Sequence, residues 1–141
     1  MCSDLKLKMS SSSVRVGSYG AMWGDSRIAF PQLLENGNVD FLVADYLAEF
    51  TMGILATQKE KNSEQGWCRD FVLREMRTYL PRVLEKKVRI VVNAGGTNPH
   101  GCRSALLELC KQLGVKCRIG LVFGDSLDTN KAEVPPDTYE R

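Results

Sequence analysis

Histidine is nearly missing from this chain: His100 stands alone among 141 residues. That removes zinc sites built on paired imidazoles. The five cysteines, Cys2, Cys68, Cys102, Cys110 and Cys117, include no CxxC pair, so zinc ribbons and thioredoxin-like centres lack their spacing. An odd number of cysteines, with no secretory apolar segment near the start, points to reduced thiols in a cytosol-like compartment. An excess of one charge sign is also lacking. Nineteen Lys and Arg face seventeen Asp and Glu, a net charge of +2. Bases scattered among acids argue against a nucleic-acid or membrane partner. No apolar run is long enough to span a bilayer. The glycine spacings match neither the dinucleotide fingerprint nor the P-loop.

What is present suffices for the core of one modest domain, with 43% of residues hydrophobic. The chain is organised around Val39 to Ala56. It opens as an apolar strand, Val39 to Ala44, turns through Asp45-Tyr46-Leu47-Ala48-Glu49, and continues at helical period through Leu47, Phe50, Ile54 and Leu55. Two carboxylates and a tyrosine thus sit where a strand passes into a helix. In open parallel sheets that edge binds ligands.

The same arrangement recurs. A strand from Val14 to Gly17 runs into a glycine-rich loop holding Trp23-Gly24-Asp25. Asp25 or Ser26 can cap the next helix, which carries Ile28, Leu33 and Leu34 and stops at Asn36-Gly37. After a polar loop, Lys59 to Gly66, a long helix from about Cys68 to Lys87 aligns Val72, Met76, Tyr79, Leu80 and Val83, and Pro81 must kink it or start a second one. A third strand, Val88 to Val92, ends in Asn93-Ala94-Gly95-Gly96-Thr97-Asn98-Pro99. Asn98 suits an N-cap and Pro99 a first helical position. The helix that follows stripes Cys102, Leu106, Leu109, Cys110 and Leu113 and ends at Gly114. A fourth strand, Cys117 to Phe123, leads to Gly124-Asp125-Ser126.

Strands alternating with helices predict an α/β fold: a three-layer, Rossmann-like parallel sheet of about four strands with helices on both faces. Residues 14–127 form this partial domain, between a disordered lead (1–13) and a disordered tail (128–141). The run of Lys6, Lys8 and serines weakly mimics a transit peptide, against which Asp4 and the missing arginines argue. A cytoplasmic location is expected, with the mitochondrion as the alternative.

Small residues, amides and carboxylates recurring after each strand make the carboxyl edge the default ligand site. The expected proton-transfer groups are Asp45 and Glu49, with a pKa raised by burial. Gly95, Gly96 and Asn93 would polarise an oxyanion. Trp23, Gly24, Asp25, Tyr46, Thr51, Asn98, Gly124 and Asp125 would line the substrate. One variant places a hard cation such as Mg²⁺ among Asp25, Asp45, Glu49 and Asp125. Cys102 beside His100 invites a thiolate nucleophile, but it lies on the core stripe and His100 is two residues away.

These segments resemble the N-terminal domain of the acyclic terpene utilisation protein A family. The resemblance runs from Val14 to Leu127 through WGDS, GNVDFLVADYLAEFTMGILA, RIVVNAGGTNPHGC and GDSL. The chain departs from the family pattern in its GSYGAMWGD loop and at Ser126, where a second Asp is frequent. The resemblance implies a catabolic enzyme domain for terpenoid or branched acyl-CoA substrates. It also implies a truncated form, since family members run longer. The competing expectation is a non-catalytic ligand-binding or assembly subunit, or an inactive truncated isoform. A truncated sheet would leave an apolar edge through which copies could associate.

Overall fold

A computed structural model describes residues 13–125. The lead before residue 13 and the tail from 128 lie outside the described residues. Among the described residues three short strands carry the fold: β1 (Val16–Ser18), β2 (Phe41–Ala44) and β3 (Arg89–Val92). They pair in parallel in the order β1-β2-β3. Below the first pair, Arg15 and Asp40 clamp the ladder: the Arg15 N–H donates to Asp40 Oδ2 at 2.8 Å, and the Asp40 and Phe41 N–H groups both donate to the Arg15 carbonyl.

Four α-helices of the described residues accompany the sheet: α1 (Ala29–Asn36), α2 (Glu49–Lys61), α3 (Arg77–Glu85) and α4 (Pro99–Leu113). A π-helical stretch, Phe71–Met76, runs directly into α3. The long helix therefore passes through Pro81 without a break, and its irregularity falls a turn upstream. The predicted stripe is buried at Val72, Met76, Leu80 and Val83. In α4 the predicted signals are realised: Asn98 Oδ1 accepts the Gly101 N–H at 2.9 Å, Pro99 begins the helix, and Gly114 ends it at φ 65°.

Elsewhere the structure corrects the sequence reading. Helix α1 stops at Asn36-Gly37 as expected, and Asn38 follows in the left-handed region (φ 45°). Its buried residues are Phe30 and Leu34, while Ile28 precedes the helix and is 71% exposed. In α2 the inward positions are Thr51 and Leu55, one turn apart, which turns Phe50 out to 80% exposure.

The fourth strand does not pair among the described residues. Residues 115–121 keep a strand's alternation: Val115, Cys117, Ile119 and Leu121 are half-buried, and Lys116, Arg118 and Gly120 are exposed. The segment attaches by side chains instead of a main-chain ladder. Val115 and Cys117 pack against the core, and Cys117 Sγ lies 3.1 Å from Cys110 Sγ on α4.

Nor is a third layer found among the described residues. One sheet face is covered, with Gly17, Leu42 and Ala44 buried and Ile90 and Val92 half-buried. On the opposite face Val16 is 59% and Val91 57% exposed. Parallel sheets bury both faces when crossover helices cover both. Here the strands advance in one direction, and right-handed crossovers advancing one way place their helices on one side. No helix among the described residues is long and apolar enough to cross a membrane.

Two glycines rank the packing. A Cβ on Gly96 (φ 51°) would lie 2.4 Å from Leu55 Cδ1 and 2.8 Å from the Gly66 carbonyl, whereas one on Gly114 would meet nothing. Gly96→Ala combines left-handed strain with overpacking and should cost about 3 kcal/mol. Gly114→Ala carries only the strain, about 1 kcal/mol. Urea unfolding of both variants checks the order.

Candidate functional site

The carboxyl ends of the strands meet through one side chain. Asn93, just after β3, accepts the Tyr46 N–H on Oδ1 at 2.7 Å and donates from Nδ2 to Asp45 Oδ1 at 2.7 Å. Asp45 Oδ1 also accepts the Leu47 N–H at 2.9 Å, an Asx-turn, and the Asp45 N–H donates to the Gly20 carbonyl after β1. The edge thus joins all three strands. Asp45 and Glu49 are both exposed, however. The Asn93 amide, then the Leu47 N–H, hold the Asp45 carboxyl below the usual carboxylate range. The expected rise through burial is reversed at Asp45, because its charge is hydrogen-bonded in water and not desolvated.

The NAGGTN segment is committed to packing. The Gly96 N–H donates to the Asn93 carbonyl, and the Thr97 and Asn98 N–H groups to the Gly66 carbonyl. Asn98 Nδ2 reaches the Ser63 and Gln65 carbonyls at 2.9 Å each. A Cβ on Gly95 would strike Pro99 at 2.9 Å. Asn93, Gly95, Gly96 and Asn98 therefore shape a clasp around the 62–68 loop. Thr51 is buried on the inward face of α2, and Gly124 and Asp125 follow the unpaired segment, near which the Phe123 ring lies tilted against His100 at 5.2 Å. These residues do not join the cleft described next.

That cleft lies behind the β1 loop. Gly20, Gly24, Asp25 and Tyr46, with Tyr19, form one wall, and Arg74 and Glu75 from the π-helical stretch form the other. Its free volume is about 10 Å³, room for about one water molecule. Tyr19 Oη and Tyr46 Oη are 3.2 Å apart. Tyr19 stands edge-on to Phe30 at 4.8 Å, and Tyr46 edge-on to Phe71 at 5.8 Å. Burial, above all, pushes both phenols above their ordinary range, so they remain O–H donors.

Glu75 is the residue that sequence reasoning missed. It is 8% exposed; Oε1 accepts from Arg74 Nη2 at 2.7 Å, while Oε2 is buried with no partner. Arg74 Nη1 also meets Asp70 Oδ2 at 3.3 Å, and Asp70 Oδ2 accepts the Trp23 Nε1–H at 3.3 Å. Trp23 is thus tied to the cleft through Asp70 and Arg74. Asp25, whose Oδ2 accepts the Ala21 N–H at 2.9 Å, fixes the loop, and Ser26 Oγ accepts the Ala29 N–H ahead of α1.

Two expectations lose their chemistry. No three His, Cys, Asp or Glu side chains among the described residues gather as a metal-holding set, so Asp25, Asp45, Glu49 and Asp125 do not converge on a cation. Burial raises the Cys68 and Cys102 thiols to about 12, so neither is a thiolate at neutral pH.

Asp45 supplies a test of the edge. A carboxyl depressed on folding adds stability above its unfolded pKa and loses it as pH falls through the folded value. In Asn93→Ala, the NMR titration of Asp45 should move up toward the ordinary range. The acid limb of stability should become shallower.

Comparison with known proteins adds one finding. Neither curated proteins nor solved structures give a match. The family model described as acyclic terpene utilisation family protein AtuA matches residues 14–138. That span takes in the β1 loop, the Asp45 turn, the π-helical stretch and the Asn93 clasp together. The chain belongs to the acyclic terpene utilisation AtuA family.

Proposed function

We propose that this chain is a substrate-handling domain of a catabolic enzyme, acting on a terpenoid or branched acyl-CoA or related carbonyl compound by proton transfer. The observation that carries the reading is the orphaned Glu75 Oε2 beside the Tyr19–Tyr46 hydroxyl pair. A buried carboxylate oxygen without a donor is costly to keep, and such orphans recur where a group is held ready for a ligand or proton. Glu75 would accept a proton from the substrate or from an attacking water. Within the Tyr19–Tyr46 pair one hydroxyl donates to the other, and the second would donate to the substrate oxygen as it gains charge. The π-helical stretch fits this role, since such bulges frequently mark functional sites.

In this reading Asp45 and Glu49 serve at the rim. The depressed Asp45 carboxyl stays anionic at neutral pH and accepts hydrogen bonds without donating a proton. Entry requires displacement of the loop carrying Gly24, which sits at φ 84° with open space around it.

Glu75→Gln should lower kcat on geranyl- or citronellyl-type CoA thioesters by about 10²-fold or more, with far-UV circular dichroism unchanged. Asp45→Asn and Glu49→Gln should change KM more than kcat. Full turnover in Glu75→Gln together with its loss in Asp45→Asn would return the chemistry to the exposed pair. Undiminished ligand affinity with no turnover in the unsubstituted chain would favour a binding subunit.

A further inference from the structure

Helix α2 carries an apolar flank that the described core does not use. Phe50, Gly53, Ile54 and Thr57 line a shallow groove along it, bounded by Glu49 at one end and Lys61 at the other. Phe50 is 80% exposed, unusual for a large aromatic side chain with no polar tip. Gly53 makes a notch where a Cβ would meet nothing. Thr57 Oγ1 donates back to the Gly53 carbonyl at 3.0 Å, so its hydroxyl is satisfied within the helix and its methyl is left to the groove.

We infer that this flank is the contact between two copies of the chain, α2 lying antiparallel to α2 across a twofold axis. The charges select this occupant. Glu49 and Lys61 are twelve residues apart, about 18 Å along a helix. In antiparallel register each Glu49 meets the Lys61 of the other copy, and Gly53 of each meets Thr57 of the other. The pattern is self-complementary, as a twofold interface requires. A parallel pairing would set Glu49 on Glu49 and Lys61 on Lys61. The small Gly53 lets the two backbones approach, and the aliphatic stem of Lys61 can cover the Phe50 ring of the other copy. This contact runs along α2 outside the lining of the cleft and shares with the proposed site only Glu49 at its rim.

The test is analytical ultracentrifugation of the full 141-residue chain over a concentration series. The expected species has twice the 15.8 kDa mass of one chain. Glu49→Lys or Lys61→Glu alone places like charges at both ends and should weaken the dimer at least about tenfold. Mixing those two variants should restore it, because every end contact is again opposite in sign. Phe50→Glu should give a monomer with unchanged circular dichroism. A monomer at every concentration would overturn the proposal. So would a dimer indifferent to these substitutions but dissolved by Val91→Glu, which would assign the contact to the open sheet face.

Discussion

Much of the structure depends on a single carbonyl. The Gly66 oxygen accepts the Thr97 N–H, the Asn98 N–H and the Thr97 hydroxyl. It thereby joins the loop after α2 to the turn after β3. Such convergence needs close backbone approach, and side chains are missing where they would interfere. A Cβ on Gly66 would lie 2.6 Å from Thr97 Oγ1, and one on Gly96 would lie 2.8 Å from the Gly66 carbonyl. Once the clasp is set, the Cys68 N–H donates to the Ala94 carbonyl at 2.8 Å. The π-helical stretch follows within three residues, so its approach to the sheet is fixed from this point.

The stretch then delivers a carboxylate into the core. Its wider turn lines up Phe71, Val72, Glu75 and Met76 as buried residues. Three of them supply the apolar surroundings, and the fourth is held by Arg74 on one oxygen only. Aromatic contacts extend the order to the opposite wall: Phe71 supports Tyr46, Tyr46 meets Tyr19, and Tyr19 rests on Phe30. Packing that looks purely structural therefore aims two hydroxyls into the cleft.

The local signals were legible wherever chemistry acts within a few residues. The Asn98-Pro99 start and Gly114 stop of α4 were read directly, because capping is a short-range matter. The core stripe from Val72 to Val83 was read from its period. Glu75 was not, since period alone does not tell a buried carboxylate from a solvated one, and its neighbour Arg74 gives the pair the composition of an exposed face. A carboxylate directly before a core methionine, on a stripe otherwise buried, was the available signal. The NAGG run was legible as a strand-to-helix junction, but whether its N–H groups face a ligand or a neighbouring loop is decided by Gly66, far away in sequence. The absence of a third layer among the described residues has the same cause. Val16 and Val91 read as core because they are β-branched, and their exposure depends on where the crossovers run.

The layout of the strands has a consequence for how the chain folds. Each strand pairs with its successor, so no strand waits for one inserted between them. The Arg15–Asp40 clamp spans 25 residues, and the Asn93–Asp45 bridge spans 48. A near doubling of loop length costs only about 0.6 kcal/mol in closure entropy, so length alone does not separate the two steps. Connection does: both partners of the Asn93 amide, the Tyr46 N–H and Asp45 Oδ1, lie on the turn after β2, so this bridge depends on β3 whereas the Arg15–Asp40 clamp does not.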